Sequence, residues 1–174
     1  DWTTDRCNDD HIPDLPVRAF RDADGQVNLI LSHYEAYAMR GPDFDSLAVD
    51  CTPMMTSSRD SDPSQYNGHE WLGAVYAQED GTVHALLHNE HQGHRYPTGC
   101  DSAEVFRCWY NTVTSAVSTD WGRSFGHPVE PPGHLVAAIT DIYAPDEGIF
   151  GAFTPSNIIE VAGYFYAYIK IQTY

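Results

Sequence analysis

Residues 17–34, VRAFRDADGQVNLILSHY, contain the pattern that decides the fold. Two runs rich in apolar and β-branched residues flank a short polar segment, whose Asp24-Gly25 pair is typical of a tight turn between antiparallel strands. Helical periodicity is almost absent from the chain, and 11 prolines and 13 glycines interrupt most windows long enough for a helix. The sequence therefore predicts an all-β protein built from hairpins.

The hairpin pattern recurs twice further along the chain. Residues 71–90, WLGAVYAQEDGTVHALLHNE, repeat it around a second Asp-Gly pair, and residues 156–172, SNIIEVAGYFYAYIKIQ, repeat it around an Ala-Gly pair. The Asp-Gly pairs of the first two turns are separated by the same number of residues as Val27 and Val83. Repeats of roughly 40–50 residues with several strands each are typical of the blades of a β-propeller. The repeat predicts one domain of three blade-like units, at residues 15–57, 70–130 and 134–174.

Three units are too few to close a propeller, which needs roughly 4–8 blades. We therefore expect a five- or six-bladed propeller, of which this chain supplies about two and a half to three blades. The third unit ends after two strands in the apolar run YFYAYIKI, an edge that invites further pairing. A second polypeptide or a missing C-terminal half would supply the remaining blades. A self-contained β-sandwich of about ten strands is the alternative.

The chain of 174 residues is strongly acidic, with 9 Lys and Arg against 25 Asp and Glu and a formal net charge of −16. Such a surface repels phosphate backbones and anionic lipid headgroups, so nucleic-acid and membrane-surface binding are not expected. No apolar run approaches the roughly 20 residues of a membrane-spanning helix. The sequence thus predicts neither nucleic-acid nor membrane partners.

Four cysteines, an even number without a CxxC pair, favour disulfides over a zinc ribbon or a thioredoxin-like site. Cys100 and Cys108 flank a short polar segment that they can close, and Cys7 and Cys51 can then join the N-terminal arm to the first unit. Four buried free thiols are the alternative. The disulfide interpretation predicts a secreted or periplasmic protein.

A turn motif near residue 120 resembles a known propeller signature. Residues 118–125, STDWGRSF, fit the pattern S-x-D-x-G-x-x-F and resemble the Asp-box turn of sialidase-type propellers, which lies between the third and fourth strands of a blade. The preceding run WYNTVTSAVST would be the third strand, and a short run near Pro128 the fourth. In that family the aspartate caps its own turn, so the resemblance implies a structural role for Asp120. RAFRDADG and HNEHQGH also resemble segments of exported bacterial propeller proteins.

In a propeller, functional groups gather at one mouth of the central channel, where the connections into each innermost strand lie. Asp14 precedes the first such strand, and it resembles the aspartate that acts as general base or nucleophile in five-bladed glycoside hydrolases. Those families take a further carboxylate from the next blade, where this sequence has Glu70 and Glu90. The candidate catalytic residues are Asp14, Glu90 and Glu70. The candidate substrate-binding residues are Arg18, His33, Tyr34, His69, His88, Asn89, His91 and Asn157.

The sequence therefore predicts an exported carbohydrate-active enzyme, a glycoside hydrolase that acts on a poly- or oligosaccharide with paired carboxylates at the propeller mouth. One alternative is a polysaccharide lyase, in which His33 and Tyr34 move the proton of a uronate held by an arginine. Another alternative is a propeller that binds carbohydrate or protein without catalysis.

No cofactor is expected. The acidic turn RDADG is compatible with a structural calcium ion, although a plain turn is the preferred interpretation because the rest of a calcium-binding loop is missing. The stretch LLHNEHQGHR contains His88, His91 and His94, but their spacing matches no common zinc arrangement. A polar rim that contacts substrate is preferred there.

Overall fold

The computed structural model describes residues 2–97, 100 and 104–173, and strands predominate among them. The first sheet is an antiparallel meander in the order β1-β2-β3-β4. Its strands are β1 (Arg18–Arg21), β2 (Val27–Ser32), β3 (Glu35–Gly41) and β4 (Ala48–Thr56). The first predicted hairpin is the β1–β2 pair, in which Arg21 lies opposite Val27 on either side of the turn.

The rest of the chain forms a second, larger sheet and a short ribbon. The remaining strands are β5 (His69–Ala77), β6 (Val83–Gln92), β7 (Cys108–Ser118), β8 (Leu135–Ala137), β9 (Gly148–Pro155), β10 (Ile159–Val161), β11 (Tyr164–Tyr166) and β12 (Ile169–Gln172). The second sheet has the order β12-β9-β7-β6-β5, with β8 also paired to β7. Its neighbours are antiparallel except β7 and β9, which are parallel. Strands β10 and β11 form the two-stranded ribbon.

Helical segments are short and lie outside the sheets. The α-helix α1 (Trp2–Asp5) precedes β1, and single turns of 3₁₀-helix lie at Phe44–Ser46, Pro63–Gln65, Gly93–Arg95 and Val105–Arg107. Among the described residues, no helix is long and apolar enough to cross a membrane.

The all-β prediction is confirmed, and the three predicted hairpins form at their glycine-containing turns. Gly25, Gly81 and Gly163 have φ values of 74°, 92° and 81°, a conformation that glycine adopts without steric cost. The third hairpin is shorter than predicted, because β12 leaves it and pairs with β9. The strands of residues 134–174 therefore divide between the second sheet and the ribbon. Within the described ranges no sheet closes on itself.

The main core lies between the first and second sheets. Its buried side chains are Ile30, Ala36, Ala38, Met54, Met55, Leu72, Val83, Ala85, Leu87, Ala116 and Phe125. A hydrogen bond also joins the sheets, since the Leu72 N–H donates to Ser32 Oγ over 2.8 Å. This contact places the β2–β3 turn beside the start of β5.

A β-bulge at Gly73 shifts the register between β5 and β6 by one residue. On the turn side of the bulge Ala77 lies opposite Val83, whereas beyond it His69 lies opposite Glu90. Because side chains alternate between the two faces of a strand, this shift exchanges the faces of the β5 residues that precede the bulge.

The Arg18 side chain binds the backbone at the bulge. Its Nε donates to the carbonyl oxygen of Gly73 over 2.8 Å, and its Nη2 donates to the carbonyl oxygen of Pro155 over 3.3 Å. The side chain thus ties β1 to β5 and β9. Arg18 was predicted to bind substrate, but the backbone carbonyls of Gly73 and Pro155 occupy its guanidinium.

The turn at residues 118–125 is organised by Asp120, whose carboxylate accepts the N–H groups of Arg123 and Ser124 over 3.0 and 2.9 Å. Burial raises the pKa of Asp120, but hydrogen bonds from Ser118 and Ser124 outweigh it and lower the pKa to about 2. In place of the fourth strand predicted near Pro128, the chain forms an isolated antiparallel bridge between Gly126 and Val117, and the next strand, β8, begins at Leu135.

Replacing Asp120 by asparagine is expected to lower the free energy of unfolding by about 1–2 kcal/mol at pH 7, because the charged acceptor of the turn is lost. A carboxyl group with a depressed pKa stabilises the fold above its unfolded pKa and loses that contribution as the pH falls. The deficit of Asp120→Asn should therefore shrink between pH 4 and pH 2 in urea titrations. Asp24→Asn, at an exposed turn residue, is the control. A deficit equal to the control's would contradict the prediction.

Both expected disulfides form. Cys7–Cys51 joins the N-terminal segment to β4, and Cys100–Cys108 closes the loop that precedes β7. All four cysteines are thereby oxidised. Two disulfides in one small domain are typical of proteins that fold in an oxidising compartment.

Gly151 in β9 has a φ of 118°, and a Cβ atom at this position would overlap the carbonyl group of Asn111 on β7. Replacing Gly151 by alanine is expected to cost about 3 kcal/mol of unfolding free energy, because the parallel β7–β9 pair must separate. Gly148→Ala is a matched control, since Gly148 has a φ of 94° but open space around it. Chemical denaturation compares the two variants, and equal losses would show that the overlap is unimportant.

Candidate functional site

Polar and aromatic side chains converge where the β2–β3 turn meets the start of β5 and the end of β6. The cross-strand pair His69 and Glu90 and the next pair, Trp71 and His88, share one face of the second sheet. The β2–β3 turn adds two rings to this face. We call this group the rim cluster. Its members are Asp14, His33, Tyr34, His69, Trp71, His88, Glu90, Gln92 and Arg95.

Glu90 is the enclosed carboxyl group of the rim cluster, with a side chain only 12% exposed. Its Oε1 lies 3.0 Å from His88 Nε2, and its Oε2 accepts a hydrogen bond from Gln92 Nε2 over 2.7 Å. Both carboxylate oxygens are thus held by side chains of the same strand face.

Arg95 closes the outer side of the cluster. Its Nη2 donates to the Tyr34 hydroxyl over 2.7 Å, and its guanidinium carbon lies 5.1 Å from the centre of the Tyr34 ring. Its Nε donates to Gln92 Oε1. A continuous hydrogen-bonded path therefore runs from Glu90 through Gln92 and Arg95 to Tyr34.

Aromatic rings line the inner side of the cluster. Tyr34 contacts His69 and Trp71, each with a distance of 5.6 Å between ring centres, and Trp71 contacts His88 over 6.0 Å. Burial lowers the pKa of His69 to about 4, and the nearby charge of Arg95 acts in the same direction. His69 is consequently neutral at physiological pH and is able both to donate and to accept a hydrogen bond.

Asp14 lies at the exposed edge of the same surface. Its backbone N–H donates to the Ser32 carbonyl over 2.9 Å, and its carboxylate, 54% exposed, lies 3.9 Å from His33 Nε2. The His33 ring in turn packs edge-on against Tyr34, with 4.6 Å between ring centres. The structure therefore links six sequence-predicted residues through successive side-chain contacts, with His69 and His88 buried. They are Asp14, His33, Tyr34, His69, His88 and Glu90.

Glu70 lies on the opposite face of the sheet from Glu90. Continuing the register from the β5–β6 turn without a bulge would place the two carboxylates directly opposite each other. The bulge at Gly73 pairs Glu70 with Asn89 instead. Glu70 and Glu90, the two candidates for the second-blade carboxylate beside Asp14, therefore do not share one site.

Three further predicted substrate-binding residues lie outside the rim cluster. Asn89 is buried and donates from Nδ2 to Thr112 Oγ1 over 2.8 Å. His91 is buried on the face opposite Glu90, stacked on Tyr96. Asn157 lies between β9 and β10, in the wall of a cavity beside the ribbon. Because His88 and His91 point to opposite faces, a metal shared by the histidines of this strand is not supported.

The calcium interpretation of the RDADG turn is not supported either. Asp22 Oδ1 accepts the backbone N–H groups of Asp24 and Gln26 over 3.1 and 2.9 Å. The other Asp22 oxygen accepts Asn28 Nδ2 over 3.3 Å. The carboxylate therefore acts as the cap of its own turn.

Burial lowers the pKa of His91 to about 4, although the charges of Asp62 and Asp60 oppose the shift. The unfolded chain therefore binds a proton at this position between about pH 6.5 and pH 4 that the folded chain does not bind. Stability should fall by up to about 3 kcal/mol across this window as the pH decreases. His91→Phe, which preserves the stacking, should flatten that part of the dependence in urea titrations. An unchanged pH slope in the variant would contradict this.

A second polar site, the Glu70 pocket, lies on the opposite face and consists of Glu70, His127, His134 and Thr114. His127 Nε2 lies 3.0 and 3.2 Å from the two Glu70 oxygens, and His134 Nε2 lies 3.7 Å from Oε1. The Thr114 hydroxyl donates to the same oxygen over 3.2 Å. Burial raises the pKa of Glu70, but its polar contacts with His127 and His134 and the charges of these histidines outweigh burial and lower it.

Sequence reasoning missed the two histidines of the Glu70 pocket. They lie in the connection after the Asp120 turn, GHPVEPPGH at residues 126–134, which has no repeat partner in the first unit. The available signal was two histidines and two adjacent prolines in one short loop. Their contact with Glu70 depends on the bulge in β5 and on packing between segments that are distant in the sequence.

Comparisons of the chain with models of protein families, with curated proteins and with solved structures found no match. The function of the rim cluster and of the Glu70 pocket therefore has to be inferred from their own chemistry. Hydrogen-bond partners, burial and charge are the observations that bear on it.

Proposed function

We propose that this protein is an exported carbohydrate-active enzyme, a glycoside hydrolase whose substrate binds at the rim cluster. The environment of Glu90 carries the proposal. Its carboxyl group is enclosed between His88 and Gln92, while the carboxylate of Asp14 stands open to solvent on the same surface. Glycoside hydrolysis needs two carboxyl groups in different environments, one to protonate the leaving oxygen and one to act as base or nucleophile.

In the proposed reaction Glu90 is the general acid and Asp14 is the general base or nucleophile. The Glu90 proton passes to the glycosidic oxygen as the bond to the anomeric carbon breaks. Asp14 either takes a proton from the attacking water or attacks the anomeric carbon itself. In the second case water, deprotonated by Glu90, then cleaves the glycosyl ester and releases Asp14. Tyr34 and Arg95 supply hydrogen bonds to sugar hydroxyls. These steps use side chains alone and require no cofactor.

The framework that we propose is the five- or six-bladed propeller, completed by a second polypeptide or by a C-terminal half. The four-stranded meander β1–β4 and the packing of β1 beside β5 support it. The exposed aromatic residues of the β10–β11 ribbon, Tyr164, Phe165 and Tyr166, support a further neighbour on that side. The two disulfides support a secreted or periplasmic location.

A polysaccharide lyase is the second candidate, favoured by two contacts of Tyr34. The Arg95 guanidinium donates to the Tyr34 hydroxyl, and the His33 ring packs against Tyr34. In this version Arg95 binds the uronate carboxylate, His33 or Tyr34 removes the proton next to it, and the leaving oxygen takes a proton as a carbon–carbon double bond forms.

Incubation with xylan, arabinan, polygalacturonate and alginate tests the proposal, with new reducing ends and near-ultraviolet absorbance followed together. New reducing ends without added absorbance are expected for the hydrolase. New reducing ends with added absorbance would support the lyase instead. Saturable binding without cleavage would overturn the enzymatic proposal in favour of a lectin. The absence of both binding and cleavage with all four polysaccharides would overturn the carbohydrate proposal as a whole.

A further inference from the structure

The Glu70 pocket has no role in the proposed glycoside chemistry, because it lies on the other face of the second sheet. We propose that Glu70, His127 and His134 bind a divalent transition-metal ion, with zinc as the ion that the ligand set fits best. One coordination position would remain open toward the adjacent cavity. This metal site is independent of the rim cluster and does not rest on the proposed function.

The first support is the spacing of the three candidate ligand atoms, which all lie within 4.8 Å of one another. At Zn–N and Zn–O bond lengths of about 2.0–2.1 Å, tetrahedral ligand atoms are separated by roughly 3.3 Å. His127 Nε2 and His134 Nε2 lie 3.0 and 3.7 Å from Glu70 Oε1, on either side of that value. Small side-chain adjustments would therefore complete the geometry.

The second support is the ligand set itself. Two imidazoles and one carboxylate are a recurrent three-residue set for zinc, which leaves the fourth position free for water or another small ligand. Glu70 and His134 have side chains at most 1% exposed, so water does not compete with a metal ion for these two ligands. The Thr114 hydroxyl already donates to Glu70 Oε1 and is placed to orient the carboxylate from outside the ligand set.

The third support is the cavity of about 490 Å³ that reaches Glu70 and His127. Asn67 lies in its wall, is 7% exposed, and has an Oδ1 atom without a hydrogen-bond partner among the residues that the structure describes. A buried amide oxygen without a partner costs free energy unless a ligand or a bound water satisfies it. A water molecule on the open metal position would donate the hydrogen bond that this oxygen lacks.

Metal binding requires both Nε2 atoms to be free of protons. His134 Nε2 now lies 3.2 Å from the Tyr66 carbonyl, and His127 Nε2 contacts Glu70. The ion would replace these hydrogen bonds and release any protons they hold, so its affinity should weaken as the pH falls. The ion would also neutralise the charge of the buried Glu70 carboxylate.

Equilibrium dialysis against zinc, followed by metal analysis of the oxidised full chain, tests the site. One zinc ion per chain is expected for the unmodified protein. His127→Ala should weaken zinc binding at least about 100-fold. Loss of a residue that only hydrogen-bonds to a metal ligand typically lowers metal affinity about 10–100-fold, and loss of a ligand itself should lower it more. His84→Ala, which removes an exposed histidine on β6, should retain full binding.

Two further measurements keep the test decisive if a variant folds poorly. The unmodified protein loaded with cobalt should show the visible absorption of a four-coordinate ion, and zinc should raise its melting temperature. His127→Ala, checked by circular dichroism, should lose both responses. No bound zinc in the unmodified protein, or equal binding by the unmodified protein and His127→Ala, would overturn the proposal.

Discussion

Glu90→Gln is expected to lower the turnover of a cleaved polysaccharide by about 10²–10⁴-fold, the contribution typical of a positioned general acid. Glutamine keeps the size of the side chain and the contact with Gln92, but it has no proton of the required acidity. Binding of the same polysaccharide should change by no more than about threefold, because the hydrogen-bonding surface around Tyr34 and Arg95 remains.

Glu79→Gln provides the control for this experiment. Glu79 is exposed in the β5–β6 turn, at the opposite end of the hairpin from Glu90. Steady-state kinetics should show unchanged turnover for Glu79→Gln and a fall in kcat for Glu90→Gln. If Glu90→Gln retains full turnover while Asp14→Asn abolishes it, the assignment of Glu90 as the acid is wrong.

Removing the Cys7–Cys51 disulfide should give the largest loss of stability, about 4 kcal/mol by the chain-entropy relation. The bond spans a separation of 44 residues and ties the segment before β1 to β4. Without it the unfolded chain gains the conformational freedom of that long loop. The double variant Cys7→Ser/Cys51→Ser should therefore show a much lower denaturation midpoint.

The Cys100–Cys108 bond provides an internal comparison. It spans a separation of only 8 residues, for which the same relation gives about 2.5 kcal/mol. Guanidinium titrations of the two double variants should therefore rank the losses in the order of loop length. A larger loss for the short loop would show that local packing, and not loop closure, dominates.

The predictions that depend on neighbouring residues were the successful ones. Asp24-Gly25 and Asp80-Gly81 specify their turns locally, because glycine supplies the positive φ that a tight hairpin needs. The turn at Asp120 is equally local, since its acceptors and donors lie within six residues of one another. The even number of cysteines favoured disulfides, and the structure contains both of the expected pairs.

Sheet membership depended on contacts between distant segments. Nothing near Gly148 indicates that β9 would run parallel to β7, a pairing that needs a long connection between the two strands. The departure of β12 from the third hairpin has the same origin, because β9 offers it a partner that the hairpin sequence does not contain. The alternation of apolar and polar residues within one hairpin predicts neither the β7–β9 pair nor the β9–β12 pair.

The candidate site was predictable in part, and a single bulge accounts for much of the difference. The ends of β2 and β6 that lie away from the hairpin turns supplied His33, Tyr34, His88 and Glu90, which the structure brings together in the rim cluster. Glu70 was misplaced because Gly73 shifts the register by one residue and turns the carboxylate to the other face. A glycine inside a strand is a known signal for a bulge, so the possibility was visible in WLGAVY.

The central claim is that the rim cluster is where a sugar binds. The most direct test is to follow the imidazole NMR signals of Glu90→Gln during titration with trisaccharides of xylan, arabinan and polygalacturonate. Saturable shifts of the His33, His69 and His88 signals, with those of His127 and His134 unmoved, are the expected result. Shifts confined to His127 and His134, or no shift with any trisaccharide, would contradict the claim.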